Sequence, residues 1–296
     1  MLQKSPTSIK DYNMLHESSG YGFSNWDTVW DEEEGPSMRM NRKPSLFAHV
    51  LDQLGSGIVA GAYDATGMLP REHDLCLALG ASRTVIREAT RVLSQKGMLK
   101  PQQKVGVRVL PPASWNLMDI DVLDWIWQAE GHEKYVRDFL EFRLTFEPMA
   151  SYQAALRAST EARHNIVLLC EELMAANDRL QQGESRAAAI DCDIAFHTAI
   201  FSASENSLAH YLGALVTHML RLQINETTDP PQEFARGLYL HKEVSNAILA
   251  GRAEDAFRFS YDLVRMPYEH YMRKVFPDEP LSHANLREAR DLTLAS

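Results

Sequence analysis

The stretch from Leu69 to Val109 limits the fold more than any other part of this chain. Its pattern is typical of a short helix, a Gly80 corner and a second helix from Ser82 to about Lys96. Ser82 is a suitable N-cap and Gly97 a suitable stop, and neither Pro nor Gly interrupts the residues between them. The first helix is predicted to pack through three apolar residues, Leu75, Ala78 and Leu79. The stretch therefore predicts a helix-turn-helix.

The second helix has two different faces. Three arginines, Arg83, Arg87 and Arg91, are spaced four apart and fall on one side. The opposite side carries an apolar stripe of Ile86, Ala89, Val92 and Leu93. One face is therefore predicted to pack and the other to present positive charge.

A small hairpin is predicted after Gly97, because the run MLKPQQKVGVRVL alternates between apolar and polar residues. Its polar tip is formed by the residues from Gln102 to Lys104, and its apolar positions are Val105, Val107 and Val109. A basic hairpin behind a helix-turn-helix is typical of a wing.

Three arginines on an arbitrary helix usually form only a solvated face. Here the helix is capped, follows a Gly corner, begins with Arg83 and precedes a basic hairpin, which matches the geometry by which recognition helices reach base edges in the major groove. We therefore predict that the chain binds double-stranded operator DNA. The predicted DNA contacts are Arg71, His73, Ser82, Arg83, Thr84, Arg87, Lys104 and Gly106.

This stretch resembles the GntR superfamily of bacterial transcription regulators, in particular its FadR subgroup. The matching elements are an LP-x-E segment at Leu69, a G-A-S-R-T-V-I-R-E-A core that starts at Gly80, and an L-x-x-K-G-M-L segment that starts at Leu93. The family usually carries a DNA-contacting Arg where this chain has His73. The resemblance implies a weaker or pH-dependent contact at that position.

The charge of the chain is divided unevenly. The whole chain carries a formal net charge of −10, but residues 41–112 hold ten Lys and Arg against five Asp and Glu, a net charge of +5. Residues 1–40 carry a net charge of −4, which leaves −11 from residue 113 onward. A basic module joined to an acidic body is expected of a DNA-binding head with a separate sensing domain, because DNA phosphates attract only the part that docks.

The three cysteines, Cys76, Cys170 and Cys192, have no paired spacing. They predict buried free thiols in a reducing compartment. No segment approaches 18 consecutive apolar residues and the N-terminus lacks a signal-peptide pattern. We expect a cytoplasmic protein that has no contact with membranes.

From Tyr135 to about Lys274, apolar residues recur at three- and four-residue spacing and predict an all-helical bundle. The predicted fold class is mainly α. The predicted domains are an irregular extension (1–40), a winged helix-turn-helix domain (41–112), a linker (113–130), a helical domain (131–275) and a loose tail (276–296).

The helical part resembles the FCD ligand-binding domain of the FadR subgroup. The matching motifs are E-x-R-x-x-x-E-P from Glu141, D-x-x-x-H from Asp193, Asn206 after it, and H-x-x-V-x-x-A-I from His241. The linker segment W-N-x-x-D-x-D-V-L-x-W from Trp115 resembles the same segment in repressors of bacterial galactonate operons, a sugar-acid branch of this subgroup.

Asp193 and His197 lie four residues apart, a spacing at which two side chains on one helix face can ligate one metal ion. In isolation such a pair is more often a surface ion pair. The resemblance implies a divalent ion, zinc or similar, held by an Asp and three His, with His241 as a third ligand. The fourth position aligns near Leu263, which cannot ligate, so water or the effector would complete the shell.

Arg143 is the main candidate for binding an effector. Phe139, Phe142 and Phe146 surround it on its helix, so its guanidinium must either pair with Glu147 or face a polar cavity, where it could hold an acid. Two further effector-binding candidates are Asn206 and Arg221, the latter because of its apolar helical setting.

Together these features predict a homodimeric repressor, because one helix-turn-helix reads only half of a two-fold operator. The predicted effector is a small sugar acid such as an aldonate, which releases the operator. Three alternatives stay open: a regulator of a different small carboxylate, a metal-dependent enzyme using Asp193, His197 and His241, and a helical interaction scaffold. The enzyme reading leaves the basic head unexplained, and we expect that the chain is not an enzyme.

Overall fold

The structure is a computed structural model that describes residues 45–64, 66–183, 185–227 and 231–281. The predicted extension (1–40) and the tail from residue 282 lie outside the described residues. Within the described residues the fold is mainly α, as predicted, with ten α-helices and one two-stranded sheet. None of these helices is both long and apolar enough to cross a lipid bilayer.

The head contains three helices and the sheet. Its elements are α1 (Leu46–Val59), α2 (Glu72–Leu79), α3 (Arg83–Gln95), β1 (Leu99–Gln102) and β2 (Gly106–Val109). Its core joins one face of each helix, and the largest fully buried side chains include Leu54, Ile86 and Leu93.

The predicted helix-turn-helix is confirmed, and its local signals work as expected. The Ser82 hydroxyl accepts a hydrogen bond from the Val85 amide (3.4 Å) and so caps α3. Gly80 ends α2 in the left-handed conformation (φ 61°). Gly97 ends α3 at φ 76°, where a Cβ would lie 2.2 Å from the Ser114 carbonyl oxygen. Only glycine fits that corner.

The wing is an antiparallel hairpin in which Leu99 pairs with Val109 and Gln102 with Gly106. Val105 lies in the turn rather than on a strand, and it is 67% exposed. The predicted alternation of apolar and polar residues is therefore wrong at Val105. Lys104 has a left-handed backbone (φ 65°), and the turn that it forms interrupts the alternation of side chains between the two faces of a strand. On α2, Leu75 is buried but Ala78 is exposed, since a short helix buries a narrower stripe than expected.

The linker contains a 3₁₀ turn (Pro112–Ser114) and helix α4 (Ile120–Gln128). Asp119 caps α4 by accepting hydrogen bonds from the amides of Asp121 and Val122. Two faces of α4 enter different cores. Val122, Trp125 and Ile126 pack in the core of the head, whereas Leu123 and Trp127 pack in the core of the helical domain.

The helical domain consists of α5 (Glu133–Arg157), α6 (Thr160–Gln181), α7 (Arg186–Ala203), α8 (Ser207–Thr227), α9 (Pro231–Leu249) and α10 (Ala253–Val275). These helices enclose one core in which Phe196, Phe201 and Tyr268 are fully buried. The three cysteines are free thiols, as predicted, but only Cys170 is buried.

Candidate DNA-binding surface and buried polar cluster

All eight residues predicted to contact DNA are exposed: Arg71, His73, Ser82, Arg83, Thr84, Arg87, Lys104 and Gly106. Arg83 and Thr84 are the first residues of α3. The amides in a first helical turn point outward and the helix dipole is positive there, so this end of α3 suits an anion such as a phosphate. Lys104 and Gly106 lie at the tip of the wing.

The arginines of α3 are held loosely. Arg87 donates from Nε to Glu72 Oε1 (2.9 Å), but its side chain is 75% exposed. Arg91 pairs with Glu88 on the same helix. Exposed ion pairs contribute on the order of 1 kcal/mol or less, so DNA phosphates can displace them.

Inside the helical domain, charged side chains from three helices form what we call the buried polar cluster: Arg143, Glu147, Asp193, His197 and His241. Helix α5 supplies the first two residues, α7 the next two, and α9 the last. Each of the five is no more than 5% exposed. The structure thus brings together three motifs from the sequence that are far apart along the chain.

Contacts within the buried polar cluster are continuous. Arg143 donates from Nε to Glu147 Oε1 (2.5 Å). Glu147 Oε2 lies 2.7 Å from His197 Nδ1. Asp193 Oδ1 lies 3.9 Å from His197 Nε2 and 2.9 Å from His241 Nε2. Buried charges are costly when unpaired, and each charge here has an opposite or polar neighbour.

The cluster holds its carboxyl groups in the ionised form. Burial raises the pKa of Glu147, but Arg143 and His197 outweigh burial and bring that pKa to about 2. Burial also raises the pKa of Asp193, but His241, His197 and Arg143 hold it below its ordinary value. Burial lowers the pKa of His197, and the nearby Glu147 and Asp193 reverse this, so the pKa is raised.

Asp193, His197 and His241 offer ligand atoms that all lie within 4.8 Å of one another. The Gly237 carbonyl can only accept a hydrogen bond, so the Nδ1 of His241, 2.9 Å away, carries the proton. Its Nε2 forms no hydrogen bond within the described residues, although Asp193 is close. That nitrogen therefore presents a lone pair.

Metal-ligating histidines usually donate their second ring N–H to a carbonyl or carboxylate. His241 does so to Gly237, and the Nδ1 of His197 lies against Glu147. Each ring then has Nε2 available for coordination. This donor set of two imidazoles and one carboxylate fits a divalent ion such as zinc.

Leu263 stands beside the cluster, where the fourth ligand was expected to align. Its Cδ1 and the His241 ring both lie 3.8 Å from the point where a Cβ on Gly237 would be. The neighbouring Asp262 pairs with Arg265, 3.2 Å away. A leucine at this position has an apolar side chain and no atom that can ligate a metal.

Arg143 adopts the first of the two arrangements considered from the sequence, the pair with a carboxylate. It pairs with Glu147, and its Nη1 also donates to Gln223 Oε1 on α8 (2.5 Å). The sequence analysis did not identify Gln223. Its sequence signal is weak, because it is one of several polar residues on this helix and directly follows an apolar one, Leu222.

The other two effector candidates lie elsewhere. Arg221 does not have the predicted apolar setting: its side chain is 52% exposed and pairs with Asp191 (2.8 Å), because it faces away from Gln223 on α8. Asn206 caps α8 by accepting from the Leu208 amide (3.0 Å), and its Nδ2 donates to Gln153. The roles of both residues in effector binding stay predictions.

Two family models match this chain. The model described as "Bacterial regulatory proteins, gntR family" matches residues 46–109, and the model described as "FCD domain" matches residues 138–265. The first match covers the helix-turn-helix and wing. The second covers the buried polar cluster.

Curated relatives match over most of the chain. An uncharacterized HTH-type transcriptional regulator, YieP of Escherichia coli, is 29% identical over 78% of this chain and 97% of its own length. The galactonate operon transcriptional repressor of the same species is 29% identical over 66% of this chain and 83% of its own length. The Glc operon transcriptional activator is 28% identical, over 77% and 89% respectively. All three are transcription regulators.

Proposed function

Because the chain belongs to the GntR family of bacterial regulatory proteins and carries an FCD domain, we propose that this DNA-binding transcription regulator responds to a small sugar acid. The regulator is not an enzyme, since the matching families and relatives are transcription regulators. We further propose that it represses a sugar-acid catabolic operon and that the acid releases it. The relatives include both a repressor and an activator, and the linker resemblance to galactonate repressors supports the first.

The observation that supports an acid effector is the charge balance of the buried polar cluster. Arg143 carries one positive charge, Glu147 and Asp193 carry one negative charge each, and both imidazoles must be neutral to ligate a metal. With both imidazoles neutral, the five side chains are together one unit negative. A divalent ion held by Asp193, His197 and His241 would supply two positive charges and open coordination positions for a carboxylate.

One carboxylate would then neutralise the site. Arg143 already has two of its donors directed at Glu147 and Gln223, and its planar fork suits a further carboxylate oxygen. Hydroxyl groups next to the carboxylate would meet polar side chains rather than the apolar core. A sugar acid combines these features, and another small hydroxy acid is the alternative.

A thermal-shift screen tests this assignment. D-Galactonate and other aldonates should raise the melting temperature in a concentration-dependent manner, because a ligand that binds only the folded form stabilises it. D-Galactose is the matched control, because it has no carboxylate. An equal shift with galactose would reject recognition of the acid group, and a shift only with shorter carboxylates would favour the alternative.

Metal analysis of protein purified without chelator tests the ion. We expect about one equivalent per chain, its loss in His241→Ala, and its retention in His210→Ala, because His210 is exposed and its ring lies against Ser202, outside the buried polar cluster. Normal acid binding by a metal-free His241→Ala protein would reject the metal site. In that case the three residues would be direct hydrogen-bond partners of the acid or structural groups.

Leu263→His adds a possible metal ligand, whereas His241→Ala removes one. A histidine beside His241 should supply a fourth ligand and raise zinc affinity by about tenfold or more. It should also weaken acid binding, because one open position is lost. A variant that gains neither effect would show that the cluster does not hold an ion at this point.

We also propose that the regulator is a homodimer formed through helices α5 and α8. These helices are neighbours, since Asn206 donates to Gln153, and they expose large apolar side chains that include Met149, Leu156, Leu208 and Tyr211. Leu208 is 74% exposed. Such a surface suits a two-fold interface, and Leu208→Glu should shift sedimentation from dimer to monomer while Leu77→Glu on the head should not.

A further inference from the structure

Helix α6 buries one amide side chain, that of Asn177. The residues of its core-facing stripe are Ile166, Leu169, Cys170, Leu173, Ala176 and Asn177. Asn177 is only 5% exposed, and its Oδ1 has no hydrogen-bond partner within the described residues. This state is unfavourable, because the oxygen loses its bond to water on folding and gains none in exchange. Such an atom needs a physical reason, and a ligand that donates to it is one.

The position of Asn177 follows from how α6 packs on α9. Near the start of α6, Arg163 Nη1 donates to the Ile248 carbonyl oxygen near the end of α9 (3.3 Å). Farther along α6, the side chains of Cys170 and Ser245 form a hydrogen bond. Between these two contacts α6 runs forward along the chain while α9 runs backward, so the two helices are antiparallel.

This register puts Asn177 at the level of the His241 ring. Asn177 lies about 10 Å beyond Cys170 along α6, because a helix rises about 1.5 Å per residue. In the matching direction on α9, His241 lies about 6 Å from Ser245. The His241 ring extends further that way, since its Nδ1 donates to the Gly237 carbonyl oxygen (2.9 Å). Asn177 leans back toward the start of α6, because helical side chains tilt toward the N-terminus. The two side chains therefore approach the same level of the bundle.

Helix α7 brings Asp193 to the same region. Helix α6 ends at Gln181 and α7 begins at Arg186, so a short connection joins two antiparallel neighbours. Counted from these two ends, the Cα atoms of Asn177 and Asp193 differ in level by about 4.5 Å. The tilt of each side chain toward its own N-terminus reduces this difference. The unpaired amide of α6 is thus directed toward the groups, Asp193 and His241, that would hold the metal ion.

From this placement we infer that Asn177 binds a hydroxyl group of the acid and makes the site selective for hydroxy acids over plain carboxylic acids. The inference rests on the proposed function, in which a metal ion and Arg143 hold the carboxylate. An amide oxygen can only accept a hydrogen bond, so the group that satisfies Oδ1 must be a donor. An ionised carboxylate cannot donate, whereas a hydroxyl group donates to Oδ1 and can also accept from Nδ2. The hydroxyl-bearing chain of the acid therefore occupies the Asn177 side of the cluster.

Asn177→Leu tests the inference through two effects of opposite sign. Leucine has a similar size but no polar atom, so it removes the unpaired oxygen without leaving a large cavity. The melting temperature of the protein without acid should therefore equal or exceed that of wild type. A structural asparagine would instead lose hydrogen bonds on this change, and the melting temperature would fall.

Acid binding should change in the other direction. The probes are D-galactonate and hexanoate, which share their chain length and carboxylate but differ in their hydroxyl groups. In calorimetric titrations, Asn177→Leu should bind galactonate about 30- to 100-fold more weakly than wild type does, because a site built around a hydroxyl group depends on that hydrogen bond. Hexanoate should bind the variant at least as tightly as wild type, because its chain would then meet an apolar side chain.

Asn165→Leu is the matched control. Asn165 lies on the same helix, about 18 Å from Asn177 along its axis, and is only partly buried. This variant should keep wild-type affinity for galactonate. If Asn177→Leu does not fold, Asn177→Ala replaces it in the titrations.

Failure of this inference is distinguishable from failure of the proposed function. Galactonate binding by wild-type protein with unchanged affinity in Asn177→Leu would leave the proposed function standing and overturn the inference. A melting temperature clearly below that of wild type in acid-free Asn177→Leu would identify a structural residue and overturn it as well. If wild-type protein binds lactate instead of galactonate, lactate and propanoate replace the two probes. If it binds neither hydroxy acid, the acid assignment itself fails, and the inference fails with it.

Discussion

Arginines in the two parts of the molecule have opposite surroundings. Arg87 on α3 is 75% exposed and pairs with a partly exposed carboxylate, that of Glu72. Arg143 in the helical domain is 3% exposed and donates to both Glu147 and Gln223. The residue type is the same, but one guanidinium is solvated and movable whereas the other is desolvated and fixed.

This difference explains how each site would recognise an anion. DNA is large and strongly charged, so exposed arginines gain affinity from counterion release and need little preorganisation. A small acid has few contacts, so its site must be formed in advance by fixed donors. The head therefore tolerates weak ion pairs, and the helical domain requires strong ones.

The largest effect should follow from removing the buried guanidinium. Arg143→Met leaves Glu147 and Asp193 uncompensated in the interior, and it should lower the free energy of unfolding by about 3–5 kcal/mol. Urea unfolding followed by circular dichroism measures this. Arg221→Met is the matched control: its exposed pair with Asp191 should be worth about 1 kcal/mol or less. Similar losses in the two variants would remove the contrast between buried and exposed arginines.

Changes on the recognition helix should affect DNA binding rather than stability. Arg83→Ala and Arg87→Ala should each cost on the order of 1–3 kcal/mol of operator binding and relax sequence preference. Lys104→Ala in the wing should instead weaken binding to operator and scrambled DNA alike. Gel-shift titrations on both DNAs distinguish these effects. Unchanged operator affinity in the Arg83→Ala/Arg87→Ala double variant would show that α3 is not the recognition helix.

The two sites also differ in how well the sequence predicts them. The helix-turn-helix follows from local signals, because Ser82, Gly80 and Gly97 act on neighbouring residues. The exposure of its arginines is predicted by their four-residue spacing, which places them on one face of the helix. The predictions for Ala78 and Val105 were wrong because the short helix α2 buries a narrow stripe and the turn of the wing is irregular. The spacing of apolar residues does not encode either feature.

The buried polar cluster could be predicted only in part. Asp193 and His197 share a helix face by their spacing, but only the resemblance connected them with His241. Gln223 was missed because it contacts Arg143 across 80 residues of chain, and no local pattern encodes such a pairing. Arg221 was misplaced because it and Gln223, two positions apart, face opposite sides of α8.

Two glycines on α1 test whether α4 belongs to the head. Gly55→Ala would place a Cβ 2.5 Å from the Trp125 ring and should destabilise the protein by about 1–3 kcal/mol. Gly57→Ala on the same helix would place its Cβ 3.4 Å from Tyr63, an ordinary contact. It should be neutral or stabilise by up to about 1 kcal/mol, because alanine favours helices. Equal effects would mean that α4 does not pack tightly on the head.

The smallest effect is expected at the Glu72–Arg87 pair, the exposed counterpart of the buried Arg143–Glu147 pair. Glu72→Gln removes a negative charge from the DNA-binding surface and releases Arg87, so affinity for scrambled DNA should rise about two- to fivefold at low salt. Stability should change by less than about 0.5 kcal/mol, because an exposed pair contributes little. Operator affinity should rise less, since Glu72 also orients Arg87, and the ratio of operator to scrambled affinity should fall. Salt titrations on both DNAs measure this ratio. If it rises instead, Glu72 competes with DNA without orienting Arg87.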